Sequence, residues 1–451
     1  MYKKDTIAAI ATPPGKGGVG IVRVSGPLSN EIAEAITRRR LPPRQAIFCE
    51  FYGSDNTAVD QGLALFFAGP ASFTGEDVLE LQGHGGPVVM DLLLAEVVAL
   101  GARIAAPGEF SERAFLNNKL DLAQAEAVAD LIDSSTKAAA KGAMRSLKGE
   151  FSAQVQTLAT QILELRMFTE AAIDFPEEEI DFLSDAKVEN SLSIIKASLD
   201  KLSQQSRAGA LLRDGLTLVF AGEPNAGKSS LMNRLVGEET SIVTEIPGTT
   251  RDVIREQVSL GGVPLKLVDT AGLRDTEDAI EQEGVRRARR EFAQADGVLV
   301  LIDVATEPNW QQALARLLVN LDNAEKILVV LNKTDLVSEL PVIPEGLRYP
   351  VIPISARTGS GLQELEQALL AQFAPGLDLE SSHVSRSRHL DALRRTDAHI
   401  LQGQQVLETQ TAGELFAEEL KLAHQALCEI TGEFSSDDLL GEIFSSFCIG
   451  K

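Results

Sequence analysis

The 451-residue chain predicts a multidomain α/β protein built around a P-loop nucleotide domain. Three observations lead there. An apolar and β-branched run, residues 216–221, ends in Gly222-Glu-Pro-Asn225-Ala226-Gly227-Lys228-Ser229-Ser230 and opens a helical pattern. This is G-x-x-x-x-G-K-[ST] between a strand and a helix, the context the motif requires. Residues 1–118 mix strand alternation with helical spacing, whereas 111–212 and 389–427 carry helical spacing alone. At roughly 150 residues per domain, the length gives about three domains.

Composition narrows the class. With 44% hydrophobic residues the chain can bury ordinary cores, and no apolar run reaches the ~18 residues of a membrane span. Two lysines and a short apolar stretch at the N-terminus meet Pro13-Pro14-Gly15 at once, so no signal peptide is expected and the chain reads as cytoplasmic. Cys49, Cys428 and Cys448 form no C-x-x-C pair, and the five histidines show no ligand spacing. Disulfide frameworks and transition-metal catalysis therefore have no support. A net charge of −23 argues against nonspecific nucleic-acid binding over the whole surface. It leaves local basic patches, Arg38-Arg39-Arg40 and Arg286-Arg287 with Arg289-Arg290, although each taken alone reads first as a solvated helix face.

Along the first domain, strands are expected at 5–11, 20–25, 63–67 and 78–82, with helices at 28–37 and 88–100. Gly15-Lys16-Gly-Gly-Val-Gly20 resembles a nucleotide loop but lacks a following Lys-Ser/Thr, and a strand comes next. It reads as a glycine turn between strands. Glu80, before Gly83-His84-Gly85-Gly86, is placed for a polar ligand contact or is a solvated strand end. Pro176 then interrupts the helical section, and Glu177–Glu179 read as a charged helix start before they read as a metal site.

In the nucleotide domain, backbone N–H groups of the loop would cradle a triphosphate, Lys228 would reach its β and γ oxygens, and the Ser229 hydroxyl would ligate Mg²⁺. The loop Thr244-Glu245-Ile246-Pro247-Gly248-Thr249-Thr250 supplies Thr250 as the second Mg²⁺ ligand and γ-phosphate sensor. Asp269 ends a strand on the Mg²⁺ side and is followed by Thr270-Ala271-Gly272, whose Gly272 N–H suits the γ-phosphate. The strand 326–331 ends in Asn332-Lys333-Thr334-Asp335. A carboxylate such as Asp335 accepts both N1–H and the 2-amino group of guanine, which adenine does not offer. The backbone of Ser355-Ala356-Arg357 suits the guanine O6. These elements in this order mean GTP.

The segment resembles the translation-factor-related GTPases. Pro247-Gly-Thr-Thr-Arg-Asp252 and Asp269-Thr-Ala-Gly-Leu273-Arg274 resemble the Era/EngA/MnmE group among them. Leu273 stands where Ras-like enzymes carry a water-orienting glutamine. Ala11-Thr-Pro-Pro-Gly, Ser72-Phe-Thr-Gly-Glu-Asp, Pro107-Gly-Glu-Phe, Arg113-Ala-Phe-Leu-Asn, Lys119-Leu-Asp-Leu-Ala-Gln-Ala-Glu and the closing Cys448-Ile-Gly-Lys451 extend the resemblance to the MnmE (TrmE) family over essentially the full chain.

That resemblance implies the rest. Residues 1–118 would be a folate-binding, aminomethyltransferase-like dimerisation domain. Residues 119–212 and 377–451 would form one helical domain, with a Ras-like G domain, 213–376, inserted between them. Arg23, Glu80, Lys119 and Lys451 match the 5-formyl- or methylene-tetrahydrofolate site. Cys448 would lie near it as a catalytic thiol; taken alone, the residue can also be read, with less weight, as a buried structural cysteine. K⁺ would be held by Asn225, Thr244, Ile246 and Thr249, and Glu281 would orient the attacking water in place of the missing glutamine. From the residues alone Glu281 is one acid among Asp275, Glu277, Asp278 and Glu283. The homodimer would join a partner flavoprotein, MnmG, which carries FAD, in a heterotetramer. Together they would install (carboxymethyl)aminomethyl groups on C5 of tRNA wobble uridine 34. Two alternatives remain at this point: an Era/EngA-like ribosome-assembly switch, and a folate-dependent methyltransferase with regulatory GTP binding.

Overall fold

The computed structural model describes residues 5–174, 186–238, 255–269, 295–319, 326–375, 382–410, 412–434 and 437–450. The chain divides into two units, one made of residues 1–129, 147–180 and 402–451, the other of 130–146 and 181–401.

The first unit contains a six-stranded sheet in the order β3-β4-β5-β2-β1-β6, from β1 (Ile7–Ile10), β2 (Gly17–Ser25), β3 (Ile47–Tyr52), β4 (Ala58–Phe67), β5 (Val78–Gly85) and β6 (Arg103–Ile104). Its pairs are antiparallel except β1 with β6. Period-2 alternation sends Val22, Val24, Cys49, Phe51, Ala64, Phe66, Leu79 and Leu81 to one face. There they pack on Ile32 and Ile36 of α1 (Ser29–Thr37) and on Met90, Leu93 and Val97 of α2 (Pro87–Ala99). The expected glycine turn at 15–20 is instead mostly strand. Gly17 pairs with Gly85 and Gly20 with Gly83 across a bulge, and glycine at 20 leaves room for Met90, whose Sδ would stand 2.4 Å from a Cβ there.

Helices α3 (Glu109–Leu116), α4 (Leu122–Ile132), α6 (Glu150–Asp174), α12 (Gly413–Cys428) and α13 (Asp437–Ser445) belong wholly or mainly to this unit. Leu122, Ala125, Phe115, Phe444 and Phe447 form one apolar cluster. Arg113 is 2% exposed and donates to Asp5, Glu76 and Glu109, while Arg103 ties Asp5 and Glu109 together. The start of β1, the loop before β5 and α3 are thereby locked into one ionic cluster.

The second unit carries α5 (Lys137–Leu147) and α7 (Ala186–Asp214) beside a sheet in the order β12-β11-β10-β7-β9-β8. Its strands are β7 (Leu216–Gly222), β8 (Arg255–Leu260), β9 (Val263–Asp269), β10 (Gly297–Asp303), β11 (Ile327–Asn332) and β12 (Val351–Pro353). All pairs are parallel except β8 with β9. Every residue of β10 and β11 is buried, as strands covered on both faces must be. α8 (Lys228–Glu238), α9 (Trp310–Leu318), α10 (Leu362–Phe373) and the start of α11 (Ser387–Gln410) complete this unit. β7 pairs with β9 on one side and β10 on the other, so strand order reverses beside the end that carries the P-loop. In open α/β sheets this is where ligands bind. No helix among the described residues is long and apolar enough to cross a membrane.

Candidate functional site

The P-loop leaves β7 at Gly222 and enters α8 at Lys228. Gly222, Asn225 and Gly227 all have positive φ, +150°, +64° and +97°. Gly227 is forced twice over, since a Cβ there would also meet Asn332 Nδ2 at 2.2 Å. Lys228 folds back on the loop and donates to the carbonyls of Gly222 (2.7 Å) and Glu223 (3.0 Å). Ser229 and Ser230 are exposed on the first turn of α8, Ala226 is buried and Asn225 is exposed.

Asn332 organises the other side. It is buried at the end of β11, donates Nδ2 to Ala226 O at 2.9 Å and accepts at Oδ1 from the Ala356 N–H at 3.0 Å. One amide side chain thus joins the P-loop to the turn at 355–357. Asp335 is exposed on a short 3₁₀ turn, with Oδ1 accepting from Ser355 Oγ at 2.6 Å. The Ser355 N–H is spent on Ser360 O, and Arg357 is exposed. Thr334 donates its N–H to Ile354 O. Lys333, at φ +67°, pairs with Asp303 Oδ2 at 2.7 Å.

Asp303 was not anticipated from the sequence. It ends β10 in register with Asn332. Burial alone would raise its carboxyl, but donors from Lys333 and the Ala305 N–H outweigh that and hold it below the ordinary range. An acid closing a wholly buried strand at the ligand end of the sheet was the available signal.

Asp269 closes β9 in register with Phe220 of β7. Thr244, Glu245, Ile246, Pro247, Gly248, Thr249, Thr250, Thr270, Ala271, Gly272, Glu281 and Lys451 lie outside the described residues. No group of three or more His, Cys, Asp or Glu among the described residues could hold a metal alone. The Ser229 hydroxyl is a hard oxygen donor at the loop's end, as Mg²⁺ prefers, and nucleotide oxygens would have to complete its shell.

The second constellation lies in the first unit. Arg23 and Glu80 face each other across β2 and β5 and pair at 2.9 Å. The Arg23 guanidinium stands 5.9 Å from the Phe73 ring and 5.7 Å from that of Phe110, and donates to Gly450 O at 3.4 Å. The closing residues are seated on this site: Gly108 N–H donates to Cys448 O, and a Cβ at Gly450 would strike Ile10 O at 2.6 Å. Lys119 lies beyond α3's end. It donates to Pro70 O at 2.9 Å, on the same loop as Phe73, and lines a cleft of about 680 Å³ with Asp121, Gln156 and Glu433.

Cys448 is exposed, which overturns the reading of it as a buried structural cysteine, whereas Cys49 and Cys428 are buried. Burial, with Glu433 nearby, pushes the Cys428 thiol up to about 12 and leaves it protonated and inert.

A family model described as "MnmE helical domain" matches residues 122–448, and one described as "GTP-binding protein TrmE N-terminus" matches 6–119. The chain belongs to the MnmE (TrmE) family. Two proteins named tRNA modification GTPase MnmE illustrate the closeness. That of Chromohalobacter salexigens is 55% identical over 457 residues, 100% of this chain and 99% of its own. That of Sodalis glossinidius is 54% identical over 458 residues, 100% of both. Among solved structures, the G domain of the T. maritima FeoB iron transporter matches 35% of this MnmE-family chain and 98% of its own at 27% identity and TM-score 0.27.

Proposed function

We propose that this MnmE-family chain, a GTPase of tRNA modification, is the K⁺-dependent, Mg²⁺-requiring subunit of a complex with MnmG that builds (carboxymethyl)aminomethyl groups on wobble uridine. The observation that carries the nucleotide part is the Asn332 bridge. It holds the P-loop and the turn at 355–357 at a fixed spacing, so base and phosphates are recognised by one rigid frame. Within that frame Asp335 accepts from the guanine edge. Ser355 and Ala356 have committed their N–H groups inside the protein, which leaves the Arg357 N–H for O6. Lys228 exchanges two loop carbonyls for phosphate oxygens as nucleotide enters. Ser229, Thr250 and Asp269 would hold Mg²⁺, and Gly272 the γ-phosphate.

K⁺, when bound by Asn225, Thr244, Ile246 and Thr249, would neutralise charge developing between the phosphates. Asn225 fits that role, since its left-handed backbone leaves it exposed on the loop's outer turn. Glu281 would orient water. In the first unit, Arg23 and Glu80 offer a guanidinium and a carboxylate beside the Phe73 ring, a donor set that suits a flat heterocycle such as the pterin of a reduced folate, and Lys119 and Lys451 would complete the folate contacts. Cys448 would supply an accessible thiol to it.

The chain would divide into domains 1–118, 119–212 with 377–451, and 213–376, and would act as a homodimer in the cytoplasm. GTP turnover measured in matched KCl and NaCl tests the cation. A severalfold advantage for K⁺, lost in Asn225→Ala, is expected, and equal turnover in both salts removes K⁺ from the mechanism.

A further inference from the structure

In the second unit, β10 lies between β7, which feeds the P-loop, and β11, which ends in Asn332 ahead of Lys333, Thr334 and Asp335. In register, Gly222 of β7 faces Leu301 of β10, and Asn332 of β11 faces Asp303 of β10. A nucleotide with its base at Asp335 and its phosphates in the P-loop must therefore pass over the end of β10, and Asp303 is the residue that closes that strand.

Lys333 spans the same ground from the other side. Its backbone is left-handed, at φ +67°, a conformation rare for a residue with a long side chain. Bonds on both sides hold it there: the Thr334 N–H donates to Ile354 O, and the Leu336 N–H donates to Lys333 O. The Lys333 ammonium donates to Asp303 Oδ2 at 2.7 Å. Neighbouring strands are about 4.8 Å apart, so the four-carbon stem is drawn from the end of β11 to the end of β10 and presents apolar surface there.

Asp303 is itself anchored. Its Oδ1 accepts from the Ala305 N–H at 3.0 Å, and its carbonyl accepts from the Glu307 N–H at 2.9 Å. The Val304 N–H donates to Asn332 O at 3.2 Å. The Asp303 side chain is 10% exposed, so its attraction for the ammonium is screened less than that of a surface pair. On the same loop Glu307 pairs with Arg316 at 2.9 Å, and Arg316 stands 3.6 Å from Glu223 of the P-loop. The loop after β10 is thus tied to both halves of the nucleotide frame. Without the Asp303 carboxylate the ammonium would turn to water, and the stem would regain its rotamer freedom.

We propose that Asp303 is a positioning residue for the guanine nucleotide: through Lys333 it lays an apolar stem against the face of the purine ring while Asp335 reads the edge. The inference rests on the GTP reading of Asp335 and the P-loop, and it adds the anchor that neither motif contains.

The test titrates a fluorescent GDP into the full-length protein carrying Asp303→Asn, Lys333→Met or both. Asp303→Asn is expected to raise Kd about tenfold, with KM for GTP rising alike and kcat staying within about twofold. The double variant should bind no more weakly than Lys333→Met alone, since Asp303 acts through that side chain. Inosine diphosphate, which lacks the 2-amino group, should lose affinity by the same factor, because the stem meets the ring face and not its edge. An unchanged Kd in Asp303→Asn overturns the proposal, and with a lowered urea midpoint it makes the pair purely structural. Losses that add in the double variant, or that are confined to guanosine nucleotides, overturn it as well. Failure of the unaltered protein to bind GDP would instead remove the guanine reading of the site itself.

Discussion

A Cβ at position 227 would stand 2.2 Å from Nδ2 of Asn332, the atom that holds the carbonyl of Ala226. The second P-loop glycine is therefore set by Asn332 as well as by its own positive φ. Gly227→Ala should strain φ and break that hydrogen bond, at a cost of about 1–3 kcal/mol in stability, and should weaken GTP binding at least about tenfold. Urea unfolding and fluorescent-nucleotide titration read the two effects, and unchanged affinity would mean that Asn332 is dispensable to the frame. Arg113 presents a different residue-scale case. Its removal leaves Asp5, Glu76 and Glu109 short of a buried partner and should cost about 3–5 kcal/mol. The Arg103 hydrogen bond chiefly lowers Asp5. For Glu109, burial opposes ionisation, but Arg103, the Ala106 N–H and Arg113 together outweigh it. Carboxyls depressed by folding stabilise above their unfolded values and lose that contribution as pH falls through the folded ones. The urea midpoint should thus decline below the ordinary glutamate value of 4.5, and do so less steeply in Arg113→Ala.

Residues 382–386 show how an element without regular structure is fixed by its neighbours. The segment runs between α5 and α7, where a Cβ at Gly209 would lie 1.8 Å from His383 O and one at Gly142 would touch Val384 Cγ2 at 3.3 Å. Ser146 Oγ donates to Val384 O at 3.1 Å. Gly209→Ala should overpack this crossing by about 1–3 kcal/mol, read as a lower urea midpoint. Burial pushes His383 down to about 3, with the charges of His389 and Arg145 adding to it. The unfolded chain takes up this proton near 6.5 while the folded one refuses it until about 3. Stability should be complete above pH 6.5 and fall as pH drops toward 3. His383→Gln should flatten that slope between pH 6.5 and 5, and an unchanged slope would assign the dependence to other groups.

At the scale of the whole molecule, nucleotide machinery and the thiol-bearing site belong to different units of one chain. The closing residues fold into the first unit, where Gly450 O accepts from Arg23 and Cys448 is exposed, while the P-loop, Asn332 and Asp335 are built entirely in the second. Cys448→Ser should therefore abolish wobble-uridine modification, measured by mass spectrometry of tRNA nucleosides, and leave GTP turnover within about twofold. Retained modification would reduce the thiol to a surface residue.

Short-range chemistry was legible without coordinates. The P-loop and the strand–helix order of the nucleotide domain follow from spacing, because each depends on backbone geometry over a few residues. Long-range pairing was not. That Gly17 and Gly20 form a strand depends on Gly83 and Gly85 far along the chain, and that Asp303 meets Lys333 depends on the register of two parallel strands. Likewise, helical spacing announces α3, α4 and α6 but is silent on the ionic cluster that buries Arg113. The sequence by itself determined the nucleotide, the strand and helix periods and the family resemblance. Tertiary structure decided which side chains share a face, because register and sheet order are set by packing between segments that no local pattern links.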